Sequence, residues 1–158
     1  MDDTIYQKIK ATIRPDDRII MSRQEIRPLR FPIEQSFRYY HYNKPQGLWY
    51  AVGTEWLDWT ESEMPDWKGD HFYKIEITDK VLRINTERKF IQLMNGYRHE
   101  YGYGMGIDWP KLAENYSGIE ISPYRNDCNR YMWYSGWDVA SGCLWKRDAV
   151  QNIVKIEI

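Results

Sequence analysis

The stretch His41–Trp59, HYNKPQGLWYAVGTEWLDW, constrains the fold more than any other part of the chain. A Pro-Gln-Gly turn leads into a short aromatic strand, Leu48–Val52. Gly53 and Thr54 then open a segment in which Trp56 and Trp59 share one helical face. A strand, a glycine turn and a helix start in direct succession make a platform for a flat, phosphate-bearing ligand. Rings on the strand stack on a base, and the helix start offers free backbone N–H groups to a phosphate. The same rings also make an ordinary hydrophobic core, and composition alone favours that use.

The rest of the chain alternates short strands with short helices. Residues 2–12 read as a helix, with Ile5, Ile9 and Ile13 four apart. Arg18–Arg23 (RIIMSR) reads as a strand, residues 25–35 with Pro28 and Pro32 as a loop, and Phe37–Tyr42 as an aromatic strand. Residues 54–62 look helical, and Pro65 to Asp70 form a turn. His71–Thr78 alternates strongly, and Asp79-Lys80 is read as a tight turn that pairs it with Val81–Ile84 as a hairpin. A helix is expected over Thr86–Tyr97, and another over Trp109–Tyr116 with Asp108 as its N-cap and Pro110 in its first turn. Residues 98–107 (RHEYGYGMGI) show no period and read as a lid or an aromatic loop. Gly118–Ser122, Cys143–Trp145 and Ile153–Ile158 complete the strands, with a polar, aromatic connection over 123–136 and a turn around Asp148. Without regular βαβ alternation, this order predicts an α+β domain with split mixed or antiparallel sheets and flanking helices.

A length of 158 residues fits one domain over 1–158 with room for a real core. Aromatic residues reach 16%, with 8 Trp and 13 Tyr, so large areas can be buried with few aliphatic side chains. The density of Tyr131, Trp133, Tyr134 and Trp137 implies that some of these rings reach a groove, whereas Trp56 and Trp59 read as core. The net charge of −1 gives no global basic field for nucleic acid, although Arg23, Arg27, Arg30 and Arg38 crowd one region. No apolar run has the length of a membrane span, and the N-terminus lacks a signal-peptide core, so a cytoplasmic location is expected. Cys128 and Cys143 make no disulfide framework, and with His41, His71 and His99 they show no zinc-ligand spacing. Both cysteines read as structural.

Four segments, taken in order, resemble the ADP-ribosyltransferase fold. RIIMSR resembles its first strand, which ends in an NAD-holding Arg or His. GLWYAVGTEWLDW is similar to the Gly–aromatic strand, small-residue turn and helix that follow. HFYKIEITDKVLRI resembles the next hairpin, and YSGIEI with SGCLWKRDAVQNIVKIEI resembles the closing strands. The resemblance spans about half of the chain and rests on order and spacing rather than on one motif. It implies a cleft between small sheets that takes NAD as substrate. Arg23 would contact the ribose or phosphate, Gly47, Trp49 and Tyr50 would line the nicotinamide site, and Thr54 would supply the hydroxyl at the strand-to-helix turn. The product would be ADP-ribose on a macromolecular acceptor, protein or nucleic acid, or free ADP-ribose. Small chains of this type resemble bacterial or phage toxins and effectors.

Gly142 stands where the family carries its catalytic Glu. Asp138 and Glu120 are the nearest acids, and each is a candidate for the carboxylate that stabilises an oxocarbenium-like ribose. Asp138 in GWDVASG has a second use as a turn residue bonding its own backbone. Glu120 faces away from Ile119 and Ile121, toward either solvent or the cleft. Arg23 also fits an ordinary surface residue, and His41 either donates to a ribose hydroxyl or is structural. Two other functions fit the same residues. One is a non-catalytic module that binds a nucleotide or ADP-ribose; the other is an aromatic-rich domain that docks a protein partner.

Overall fold

The computed structural model describes residues 3–36, 44–101 and 104–157. The chain opens with helix α1 (Asp3–Thr12), whose buried residues are Tyr6 and Ile9. Ile5 points outward; of the expected Ile5–Ile9–Ile13 stripe, Ile9 and Ile13 pack inward and Tyr6 is rotated into the place of Ile5. The Tyr6 hydroxyl accounts for this rotation, because it donates to the Leu57 carbonyl at 3.0 Å and thereby faces inward. Strands β1 (Arg18–Ser22) and β2 (Leu48–Val52) follow, then helix α2 (Glu55–Glu63). The expected strand Phe37–Tyr42 lies outside the described residues. Gly53 takes φ +65° at the turn between β2 and α2, a conformation that suits glycine.

After a 3-10 turn at Pro65–Trp67 come β3 (His71–Ile77), β4 (Val81–Ile84) and helix α3 (Glu87–Gly96). The Thr86 hydroxyl caps α3 by accepting from the Lys89 N–H. Strands β5 (Arg98–Tyr101) and β6 (Gly104–Ile107) form a separate antiparallel ribbon. Residues 98–101 and 104–107, expected as part of a lid or loop, are thus paired strands. Backbone pairing needs no hydrophobic period, and the buried Gly106 and Ile107 tie the ribbon to the core. Helix α4 (Trp109–Asn115) is capped by Asp108 as expected, its carboxylate accepting from the Lys111 N–H. Then come β7 (Gly118–Ile121), the short helix α5 (Met132–Ser135), β8 (Ser141–Leu144) and β9 (Val150–Lys155).

Among the described residues seven strands form one mixed sheet in the order β4-β7-β8-β2-β1-β3-β9, in which β4 and β7 pair in parallel. This corrects the expected hairpin of β3 with β4: β3 pairs with β1 and β9, and β4 stands at the far end of the sheet. Alternation made both segments strands but did not choose their partners. Thr78 departs toward the end of the chain instead, bonding the Asp148 and Ala149 carbonyls just before β9.

This topology bends the sheet. Residues 78–80 alone connect β3, sixth in the sheet, to β4, first in it. Such a link reaches at most about 14 Å, whereas five flat strand spacings span about 24 Å. The sheet therefore curls until its ends approach. Its concave face holds one cluster in which Ile75 of β3 and Val81 of β4 meet Tyr50 and Leu144 of the middle strands. The other face carries two helical layers. Tyr6, Ile9, Leu57, Ile19 and Phe72 pack α1 and α2 on one half. On the other half Ile119, Ile121, Cys143 and Trp145 pack against α3, α4 and α5 through Phe90, Trp109, Leu112 and Trp133.

The rings of Trp133, Tyr134 and Trp137 are fully buried and lie 5.5 to 6.3 Å apart, Phe90 stacking on Trp133 at 5.3 Å. These three do not reach a groove, because one face of the curled sheet and the helices enclose them; Tyr131, the fourth ring of the set, is half-buried at the edge of the cluster with the Arg130 guanidinium 4.9 Å from its ring centre. Among the described residues no helix is long and apolar enough to cross a membrane. Trp133→Ala is expected to cost about 3–5 kcal/mol by opening a cavity in this ring cluster. Urea unfolding should show it as a lower midpoint at unchanged slope.

Candidate functional site

The concave face carries a polar cluster. One row of paired residues runs Arg83–Glu120–Gly142–Tyr50 across β4, β7, β8 and β2. Side chains in such a row share a face. Arg18 belongs to the next row, paired with Val52 of β2. Ala140 sits beside Val52, whose N–H donates to its carbonyl at 2.9 Å. Small residues, Gly142 and Ala140, therefore floor a trough between β2 and β7.

Glu120 reaches into this trough with its side chain only 3% exposed. Arg18 Nε donates to its Oε1 at 2.5 Å and Arg18 Nη2 to its Oε2 at 3.3 Å. The Tyr50 hydroxyl donates to Oε1 at 2.9 Å, and Arg83 Nε to Oε2 at 3.1 Å. Burial pushes the Glu120 carboxyl up, but the Arg18 fork, the Tyr50 hydroxyl and the Arg83 charge outweigh it and hold the pKa below the ordinary range. Burial and the Glu120 charge push the Tyr50 phenol well up, so Tyr50 stays a donor. Two guanidiniums face one carboxylate, and the cluster keeps one positive charge in excess. Arg18 is 20% exposed and Arg83 56%, so Arg83 is the partner most open to exchange.

Position 142 has room for no side chain. A Cβ there would collide with the Tyr50 ring, which crosses over Gly142 to reach Glu120. The acid of this row stands one strand away, on β7.

Beside the cluster a depression of about 340 Å³ opens, lined by Val52, Gly53, Thr54, Glu55, Ser122 and Ala140 among others. It adjoins the first turn of α2. Thr54 occupies the N-cap position without capping, since its hydroxyl donates to the Asp58 carboxylate at 2.9 Å. Glu55 accepts from the Ala140 N–H at 2.8 Å and ties the helix start to β8.

The structure thus brings together Tyr50 and Glu120, with Thr54 at the adjoining depression. Arg23 is not with them. It is exposed, one residue beyond the end of β1, while Arg18 at the other end of that strand makes the contact. Trp49 faces away from Tyr50 and packs edge-on against Trp137 at 4.9 Å, with the Lys44 ammonium 5.3 Å from its ring centre. Gly47 lies against the β8 backbone, where a Cβ would strike the Leu144 carbonyl. Asp138 is exposed. Partial burial pushes its carboxyl up and Lys44 pulls it down, so its electrostatic partner is Lys44 and not the arginines of the trough. His41 lies outside the described residues.

Sequence reasoning missed Arg18 and Arg83. The available signal was Glu120 itself: an acid between Ile119 and Ile121 in a strand starting with glycine needs a cation if buried, and both arginines head or sit in apolar strands. Among the described residues no group of three or more His, Cys, Asp or Glu side chains is placed to hold a metal. Cys128 and Cys143 are buried free thiols. No family model, no curated protein and no solved structure matches this chain.

Because the folded pKa of Glu120 is depressed, its contribution to stability is full above the unfolded value and is lost as pH falls through the folded one. The protein should therefore lose stability below about pH 4. Glu120→Gln is expected to cost about 3–5 kcal/mol at neutral pH, by leaving two arginines without their partner, and to flatten the acid limb. Urea unfolding from pH 7 to pH 3 measures both effects. An equally steep acid limb in the variant would assign the loss to other carboxylates.

Proposed function

We propose that the trough binds NAD in the manner of an ADP-ribosyltransferase, with Glu120 as the acid that faces the nicotinamide ribose. The observation that carries this reading is the buried Glu120 carboxylate held by Arg18 and Tyr50 on a floor of glycine and alanine, beside an open depression at a helix start. Each part has a use in that chemistry. A fixed, ionised carboxylate stabilises the positive charge that develops on the ribose as the bond to nicotinamide breaks. Arg83, more than half exposed, is free to turn from Glu120 to a pyrophosphate, which a guanidinium grips bidentately. The first turn of α2 adds backbone N–H groups near the same phosphates. Water or an acceptor nucleophile then takes the ADP-ribosyl group, nicotinamide leaves, and the nucleophile's proton passes to solvent.

A second reading, a module that binds NAD or ADP-ribose without turnover, is favoured by one observation. Both Glu120 oxygens are engaged, by four hydrogen bonds from three side chains, and the side chain is almost wholly buried. A carboxylate so saturated holds the site together without meeting the ribose.

Calorimetric titration with NAD and with ADP-ribose, followed by measurement of nicotinamide release, separates these outcomes. Binding is expected in the wild type and is expected to be lost in Ser122→Trp, which fills the depression. Turnover should fall about a hundredfold or more in Glu120→Gln while NAD affinity changes little, provided circular dichroism shows the variant folded. Binding without nicotinamide release establishes the second reading. Absence of binding by both nucleotides removes the trough as a dinucleotide site.

A further inference from the structure

Three of the eight tryptophans stand outside all three buried clusters. Trp56 and Trp59, one turn apart on α2, stack with ring centres 5.1 Å apart and planes 10° from parallel. Trp67, in the 3-10 turn that follows, closes on them at 6.3 and 6.0 Å. Trp67 is 49% exposed, and the other two are half-buried against each other. The expectation that Trp56 and Trp59 belong to the core is therefore corrected. The buried side of α2 is taken by Leu57 and Thr60, which leaves the tryptophans on the flank. Rings gathered outside the core, with Trp67 half exposed and Trp56 and Trp59 half-buried, leave apolar ring surface in contact with water, and clustered apolar surface marks interaction sites.

The charge around the rings says what fits them. Residues 55–66 contain five acids, Glu55, Asp58, Glu61, Glu63 and Asp66, and no lysine or arginine; Lys68, next to Trp67, turns to Asp3 and the Tyr6 ring. Lys10 pairs with Asp58 and Glu61, and Glu55 is held by the Ala140 N–H. Glu63 and Asp66 remain exposed beside the tryptophans. We propose that this surface docks an arginine-rich polypeptide segment. Tryptophan gives the strongest cation–π face, and the guanidinium plane stacks on it. The aliphatic stems of the same side chains cover apolar surface, while the charged heads meet Glu63 and Asp66. A nucleic acid would also stack on the rings, but its phosphates would face the acids. A second copy of this chain, joined through a two-fold axis, would set one acidic patch against another. The inference rests on this surface alone and is independent of what the trough binds.

The test uses a fluorescently labelled peptide of alternating arginine and glycine, with a glutamate-for-arginine peptide and oligothymidylate as controls. Fluorescence anisotropy should report binding of the arginine peptide only, weakening as salt rises. Trp67→Ala, and separately the double variant Glu63→Lys/Asp66→Lys, should each weaken it about tenfold or more. These side chains are exposed, so circular dichroism should show both variants folded. Failure of the arginine peptide to bind overturns the proposal, as does binding that the variants leave unchanged. Tighter binding of oligothymidylate would make the surface a nucleic-acid platform instead. A concentration-dependent dimer abolished by Trp67→Ala would make it a self-association face.

Discussion

The three residues between β3 and β4 set the shape of this protein. They join the sixth strand of the sheet to the first, and so short a link forbids a flat sheet. Curling gives the sheet an inside and an outside with different chemistry. The outside is covered by two helical layers and takes most of the aromatic mass. The inside is filled mainly by side chains of the strands, with Ile26 and Ala149 from the connections. One part of that filling is apolar, through Ile20, Ile75, Val81 and Leu144. The rest is the charged set built on Glu120.

That charged set depends on a single gap. Tyr50 and Glu120 are two strands apart and meet because Gly142 between them has no side chain. Hydroxyl, carboxylate and guanidinium then close a compact arrangement in which every oxygen of Glu120 has a donor. Removing the carboxylate from this set leaves Arg18, largely buried, charged and without its partner, while Arg83 can turn to water. Proteins keep such sets where they fix geometry or serve chemistry. The proposed chemical use rests on the open depression at the Val52–Ala140 row, with the first turn of α2 on its rim.

Helix α2 has two ends with different tasks. Its first turn borders the depression through Gly53, Thr54 and Glu55. Its flank and the turn beyond carry the stacked tryptophans among acids. Leu57 and Thr60 anchor it on α1, where the Tyr6 hydroxyl bonds the Leu57 carbonyl. A helix fixed at its middle presents both ends in constant relation to the sheet.

The sequence by itself determined most of the elements. Alternation in His71–Ile77, the Asp108 cap, the Gly53 turn and the apolar spacing of α3 are local signals, readable because the chain's conformation there depends on near neighbours. It also determined that Tyr50 and Trp49 face opposite ways, since successive strand residues must. Partners were decided by tertiary structure. Alternation gives a strand two faces without naming its neighbours, so β3 and β4 looked like a hairpin and lie at opposite parts of a curled sheet. Arg18, Arg83, Glu120 and Tyr50 come from four strands spread over more than 100 residues, and only the sheet order aligns them around Gly142. Arg23, a few residues from Arg18, falls outside because position along a strand decides reach. The tryptophans of α2 look like core in a list of residues. The rotation of the helix, set by what Leu57 and Thr60 bury, puts them on the surface.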